Sequence, residues 1–600
     1  MLKPIRELGK HLRYNKNLNQ LQILTESSKL RNTRKMICVV FSKEEERFAF
    51  DNVYIEDFDQ EKAEKILYRT FRHARYDATL TAKITKPDMI EKRWTLWFGK
   101  YFEKFKDVFP ELGSLKNAIE SNKDKIIEEI SEKYTPLDKT EKRGCLVTIK
   151  INEGNTEKYL ADIPEFIEIF RTTSMEDFYY KHNVESIGEG TCCLCMKTGK
   201  VIPASPFPVF TVDKEGFAYG FDRANSWKQL PICIDCTLDL QAGKDFLKNK
   251  LTYILYGYQY FIIPHFIFKE ISSEIIDEIE YRGRKDYRNG LLNAEEDILE
   301  EIKEKGDVLN LIFVFCKPKQ QFFDIIRYSE DVPPSWIKKM YDTFDAINRK
   351  MIFRQENLRV ILGDKWSEDF RKGQWDGKSI KNLNLSGIVK TFFPTNFIEI
   401  LGNILDREKM HEYYLLSSLI KPIREQHGQG NEWSEKLITL KSFYLFNFLL
   451  DLNLVSTSHF KSMQCKEVKF MKEIKYKRID DFFNDFQNAF DTSDKKAIFL
   501  EGVLVNFLLS VQYAQRGSTP FRKKLHGLKL DIRKVKRLLP VIIEKVRAYD
   551  TAYPDLEALI SKYLIEADEN GWKISDDELS YYFALGLNLG KFFKGGDTLE

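Results

Sequence analysis

A chain of 600 residues is too long for one hydrophobic core, and a norm of about 150 residues per domain gives three or four units. Apolar residues at 43% and aromatics at 14% supply ample core, while 30 Gly and 18 Pro are too few for a strand-and-turn architecture, so the expected class is α+β with helix in excess. With 94 Lys and Arg against 91 Asp and Glu, the net charge of +3 excludes any inference from overall charge, and only its distribution can point to a partner.

Residues 1–35 carry nine Lys or Arg against two Glu, with Leu8, Leu12 and Ile23 on helical spacing. The N-terminus lacks the apolar core of a signal peptide, so a cytoplasmic protein is the expectation. Met36–Phe41 and Arg47–Ile55 are rich in β-formers and read as strands; Glu61–Arg72 and Glu91–Phe105 read as helices. The second helix mixes Trp94, Leu96, Trp97, Tyr101 and Phe102 with cations, a pattern that core packing explains better than base stacking. Cys145–Ile151 alternates as a strand, and Ile163–Phe170 is a helix entered through Pro164.

Five of the nine cysteines then fall within 45 residues, as Thr-Cys-Cys-Leu-Cys at 191–195 and Cys-Ile-Asp-Cys at 233–236. In a chain with reduced thiols, two Cys-x-x-Cys pairs read as metal ligands. Cys192, Cys195, Cys233 and Cys236 would close a tetrahedral shell around structural Zn²⁺ with no place left for water, leaving Cys193 spare. An iron–sulfur cluster and buried or redox cysteines remain open. A zinc deaminase is excluded, because none of the eight histidines begins a His-x-Glu and Ile232 separates Pro231 from Cys233.

Phe207–Phe221 suggests a hairpin turning at Asp213–Gly216, and a helix after Cys236 carries Leu238, Leu240, Phe246 and Leu247. Leu251–Phe268 contains no Lys, Arg, Asp or Glu but barely reaches the about 20 residues of a membrane span, so buried strands are expected at Tyr253–Ile263 and again at Leu309–Phe315. Glu270–Lys305 reads as a solvated helical face. From Pro333 the pattern is helical: Leu383–Phe393, Asn396–Leu405, Tyr413–Ile423 and Leu440–Leu452. Gly373–Ser379 falls one residue short of a phosphate loop.

Past His459 a polar, basic stretch leads into five apolar-periodic segments: Ile479–Phe490, Lys496–Tyr513, Val535–Ala548, Tyr553–Ile565 and Leu579–Leu589. These predict a helical bundle with its own core. Nine cations, Arg516, Arg522, Lys523, Lys524, Lys529, Arg533, Lys534, Lys536 and Arg537, accompany a single Asp over 22 residues, more bias than solvation requires. Contact with a phosphate backbone is the expectation. The units drawn are 1–190 (α+β with a basic face), 191–250 (zinc element and following helix), 251–332 (rest of the α+β region), 333–458 (helical) and 459–600 (all-α bundle). The fold class is therefore helix-rich α+β: a mixed α/β N-terminal region with an embedded four-cysteine element, then an all-α C-terminal bundle.

Two blocks carry a family resemblance. One runs from Gly188 through Cys192, Cys195, Pro208, Phe210, Asp213, Lys214, Gly216, Phe217, Pro231, Cys233 and Cys236 to Gly243, followed by Tyr260 and Ile263-Pro264; the other is Ser580–Leu589. Together they resemble the large subunit of the type I-B CRISPR Cascade, the b subtype of CRISPR-associated protein eight. The resemblance implies a non-enzymatic subunit that senses the protospacer-adjacent motif in double-stranded target DNA and supports R-loop formation. It also implies partners: guide RNA, the displaced single strand, the backbone, handle-binding and small subunits, and a recruited helicase-nuclease, with no membrane. Under it, motif reading is expected on polar loops of the basic N-terminal face, with Asn15, Lys16, Asn17, Asn19 and Gln20 as one candidate. The bundle resembles the Cascade small subunit, and Met463 and Met471 stand where an internal start could release it. The residues alone also admit a zinc-containing nucleic-acid-binding scaffold or regulator, or a zinc-dependent nuclease.

Overall fold

The computed structural model describes residues 1–70, 78–84, 89, 91–92, 101–107, 109–154, 156–181, 184–203, 215–255, 258–266, 276, 309–318, 323–363, 385–456 and 477–594. Outside these lie Trp94 and Trp97, the Glu270–Lys305 stretch apart from Ile276, Gly373–Ser379, Met463 and Met471, and Pro208, Phe210, Asp213 and Lys214 of the resemblance.

The first layer is a mixed five-stranded sheet. Lys35–Glu44 is its centre, antiparallel to Arg47–Asp57 on one side and parallel to Leu146–Glu153 on the other, which in turn pairs with Ala82–Lys83 and Thr156–Lys158. Strand alternation divides its side chains between two cores. Ile37, Val39 and Phe41 face the helices Leu112–Ser121, Lys123–Tyr134 and Pro164–Tyr179, and Met36, Cys38 and Leu146 face a smaller cluster with Phe58 and Ile66. Tyr101 and Phe102 are buried in the larger core, as packing rather than stacking requires. Of the helix expected over 61–72, the described residues to 70 form only Lys62–Lys65, because Leu67 takes a left-handed backbone (φ 51°) and breaks it.

A second, antiparallel meander orders Thr252–Leu255, Tyr258–Phe266, Leu309–Pro318 and Phe323–Val332. The apolar stretch after Leu251 is thus two strands of a buried sheet, with Tyr260 stacked between Tyr253 and Phe315. Phe323–Val332 carries polar residues at several positions and escaped the sequence reading.

From Pro334 the described chain is almost wholly helical: Pro334–Arg349, Gln355–Leu362, Leu385–Phe392, Phe397–Leu405, Glu412–Gln429 and Glu432–Asp451, then Lys477–Asp485, Ser493–Arg516, Ile532–Arg547, Pro554–Asn570 and Asp576–Leu589. The central helix Ser493–Arg516 is long and apolar enough to cross a membrane, yet most of its length is buried among the other helices. The C-terminal bundle does not close on itself. Phe443, before the 459 boundary, packs on Phe482, Phe486 and Phe490 after it, and Phe446 packs edge-on against Tyr581. One continuous core therefore runs from the N-terminal helix to Phe593, because helix Glu432–Asp451 is buried on all sides over residues 442–449, most of them apolar, and has to be covered from both sides.

Candidate metal centre

A three-stranded sheet, Gly188–Thr191, Thr198–Ile202 and Ile232–Cys233, holds the two cysteine pairs. The first pair sits in the turn between the first two strands. Its backbone is fixed by the Met196 N–H donating to Cys192 O at 2.9 Å and the Cys192 N–H donating to Lys197 O at 2.9 Å. Met196 adopts a left-handed conformation (φ 62°) and is exposed. The second pair lies across a strand–helix junction: Cys233 ends the strand and caps helix Ile234–Lys250, whose first turn carries Cys236.

The sulfurs of Cys192, Cys195, Cys233 and Cys236 all lie within 4.8 Å of one another. Cys195 Sγ and Cys233 Sγ are 3.7 Å apart, against about 3.8 Å for a tetrahedron with metal–sulfur bonds of about 2.3 Å. Four thiols so placed could hold a metal ion. Cys192 and Cys236 are buried, and Cys193 is exposed, outside the group, with its N–H on Pro231 O.

Burial pushes the Cys192 thiol up, but the backbone N–H groups of Cys233, Cys195 and Leu194 favour its thiolate more strongly and bring it down to about 7. Burial, reinforced by its contact with Cys233, pushes the Cys236 thiol up, with Arg6 acting the other way. The centre is therefore uneven in its readiness to ionise.

The hairpin expected over Phe207–Phe221 is corrected in its described half. Glu215–Phe217 and Tyr219–Phe221 are 3₁₀ turns, since Gly220 (φ 66°) and Phe221 (φ 59°) take left-handed backbones that a strand cannot accommodate.

Sequence reading missed the neighbours of the centre. Helix Leu2–Asn15 lies along helix Ile234–Lys250, with Gly9 against the backbone of Asp239 and Gly243 against that of Ile5, leaving no room for a Cβ at either glycine. Arg13 Nη1 donates to Asp239 Oδ1 at 2.6 Å and to Asp235 O at 3.0 Å, and Arg6 Nε is 3.3 Å from Asp239 Oδ2. Two of the N-terminal cations thus face inward. The i, i+7 spacing of Arg6 and Arg13, and of Ile5 and Leu12, was the available signal.

The polar residues Asn15, Lys16, Asn17, Asn19 and Gln20 form a tight link between two helices. The Asn15 amide contacts His11 Nδ1 at 3.0 Å, Lys16 caps the first helix, and Asn17 takes φ 49°. Asn19 Oδ1 accepts the Gln22 N–H at 2.9 Å in a capping box, so this oxygen is occupied, and Gln20 starts the short second helix.

The cations of 516–537 divide into two groups. Arg522 is internal: with the buried His427 and Asn588 it contacts the fully buried Glu435, and it reaches Glu432 Oε1 at 3.3 Å. Lys534 pairs with Asp531 (3.1 Å), Lys536 with Asp568 (2.5 Å), and Arg516 lies over the Tyr549 ring. Lys523, Lys524, Lys529, Arg533 and Arg537 are exposed and make no ion pair among the described residues.

Three family models match the chain in order, described as the N-terminal, central and C-terminal domains of CRISPR-associated protein TM1802, at residues 1–172, 189–332 and 385–597. The central match contains all four clustered cysteines, and the C-terminal match spans the helices on both sides of residue 459. No curated protein matches the chain.

Proposed function

The chain belongs to the CRISPR-associated TM1802 family, and on that premise we propose that it is the large subunit of a type I-B Cascade surveillance complex. In this reading the protein carries out no chemistry. It seats against the guide-RNA complex in the cytoplasm, senses the protospacer-adjacent motif, holds the displaced strand during R-loop formation, and presents a surface to the helicase-nuclease. The guide supplies sequence specificity and the protein engages backbone and motif.

The observation that carries the nucleic-acid part of this reading is the run of exposed cations Lys523, Lys524, Lys529, Arg533 and Arg537, on the segment before helix Ile532–Arg547 and on its first turns. The four-cysteine centre fits Zn²⁺ in a structural role, because four thiolates close the shell and leave no position for a reactive water. That closure argues against the nuclease alternative.

The test is co-expression with a guide RNA and the backbone, handle-binding and small subunits. The expected result is co-purification with guide RNA and R-loop formation only on duplexes that carry the motif. A chain that binds duplex DNA equally well without guide RNA, and never joins the complex, would favour a free-standing regulator instead.

A further inference from the structure

The exposed cations lie on either side of one turn of the chain. Lys523 and Lys524 precede it, Lys529 follows it, and Arg533 and Arg537 stand on helix Ile532–Arg547 just beyond. The turn has an unusual backbone: His526 (φ 49°), Gly527 (φ 61°) and Leu528 (φ 58°) are left-handed in succession. Only the glycine adopts that conformation freely, so the other two have to be held there by contacts from outside the turn.

Burial of Leu525 and Leu528 supplies part of that hold. The directional part comes from Arg424 on helix Glu412–Gln429. Its Nε donates to Leu528 O at 2.9 Å and its Nη1 to Asp577 Oδ1 at 2.7 Å, so one guanidinium joins the turn to two helices. The flanks are fixed as well: the Phe521 N–H donates to Gln512 Oε1 at 3.1 Å, and the Leu530 N–H to Ser580 Oγ at 3.1 Å. Lys534 Nζ donates to Lys529 O at 2.9 Å, which ties the first turn of helix Ile532–Arg547 to the same segment. With its fork engaged on a carbonyl and a carboxylate and its side chain only 20% exposed, Arg424 works inside and is not one of the outward cations.

We propose that Arg424 is a positioning residue for nucleic-acid binding: it holds the left-handed turn 526–528 and so keeps Lys523 and Lys524 in a fixed relation to Lys529, Arg533 and Arg537. The proposal rests on the reading of those five cations as phosphate contacts. A strand that meets a preset array does not have to order it, and ordering is a cost that association otherwise carries. Without Arg424 the Leu528 carbonyl loses its partner, His526 and Leu528 can leave the left-handed region, and only a fraction of molecules presents the array. The apparent affinity falls by that fraction, while the bound complex and its number of neutralised phosphates stay the same.

The experiment uses the purified full-length chain and a fluorescent single-stranded oligothymidylate, with affinity read by anisotropy across a salt series and the turn read by hydrogen exchange over residues 525–530. Arg424→Gln is expected to bind about tenfold more weakly, as when the competent turn drops to about one molecule in ten, with an unchanged slope of log affinity against log salt. Exchange over 525–530 should quicken while exchange over the central helix 493–516 does not. Gly527→Val alters no charge and its Cβ would meet open space, but it disfavours the same left-handed turn and should reproduce both effects. It carries the test if Arg424→Gln fails to fold. Lys523→Gln, by contrast, should shrink the slope by about 0.7. If wild type binds the strand but Arg424→Gln and Gly527→Val match its affinity, or if Arg424→Gln shrinks the slope as Lys523→Gln does, the positioning role is overturned while the cation reading stands. A wild-type chain that binds no strand removes the cation reading, and the positioning role with it.

Discussion

Gly586 rests against the backbone carbonyl of Phe499, and between the central helix Ser493–Arg516 and the closing helix Asp576–Leu589 there is no space for a methyl group. Gly502 meets the Phe583 carbonyl in the same way one turn along, so the two glycines set the separation of these helices. Gly586→Ala has to push the helices apart and open the packing of Phe499 on Phe482 and Phe490. The expected loss is about 1–3 kcal/mol in urea unfolding. Unaltered stability would mean the two helices can separate without cost.

The shared core bears on whether the bundle can stand alone. A fragment from Met471 to the C-terminus would expose the rings of Phe482, Phe486 and Tyr581 that Phe443 and Phe446 now cover. It would also leave Arg522 without Glu432 and Glu435. We expect residues 471–600 to aggregate or bind hydrophobic dyes where the full chain gives a sharp thermal transition. A monomeric, cooperatively unfolding 471–600 fragment would refute this dependence.

Cys233→Ser with Cys236→Ser should release the metal and lower the melting temperature of the N-terminal half, since a structural ion contributes its binding energy to folding. Cys193→Ser should leave both unchanged, because Cys193 is exposed and outside the cluster. Metal content by mass spectrometry decides the point: one equivalent retained by the double variant would remove the assignment.

Arg522 and its neighbours in sequence should part company when mutated. Arg522→Gln leaves Glu435 buried with only His427 and Asn588, and should cost about 3 kcal/mol of stability. Reversing Lys523, Lys524, Arg533 and Arg537 to Glu should leave melting nearly unchanged while weakening single-strand binding. The slope of log affinity against log salt should shrink by about 0.7 for each phosphate that is no longer neutralised. An identical slope would take these four residues off the nucleic-acid path.

Glu501 is fully buried in the central helix, and neither carboxyl oxygen has a hydrogen-bond partner among the described residues. Burial holds its carboxyl well above the usual carboxylate range, so the folded chain keeps a proton that the unfolded chain releases above about pH 4.3. Its contribution to stability is therefore complete below that pH and is lost as pH rises toward the elevated folded value. Wild type should lose stability relative to Glu501→Gln as pH goes from about 5 to about 8. Parallel stability curves over that window would place an unseen partner on the carboxylate.

Local and periodic features were legible in the chain before any folding was known. A short run of β-formers marks Met36–Phe41 and spacing of two marks Cys145–Ile151 as strands, and spacing near 3.6 marks the helices of the bundle. The two Cys-x-x-Cys pairs named the four clustered thiols, because ligand spacing within a turn is a short-range property. Which charges remain outside was settled by long-range packing alone. Arg522 reads like Lys523 and Lys524 in the chain, but it turns inward because Glu435, 87 residues away, is buried and needs a cation. Arg6 and Arg13 read as part of a basic face and are drawn to Asp239, a residue of another segment. Likewise the boundary at 459 is invisible to the core, since apolar faces pair by shape and exposure, and Phe443 meets Phe482 whatever sequence lies between them.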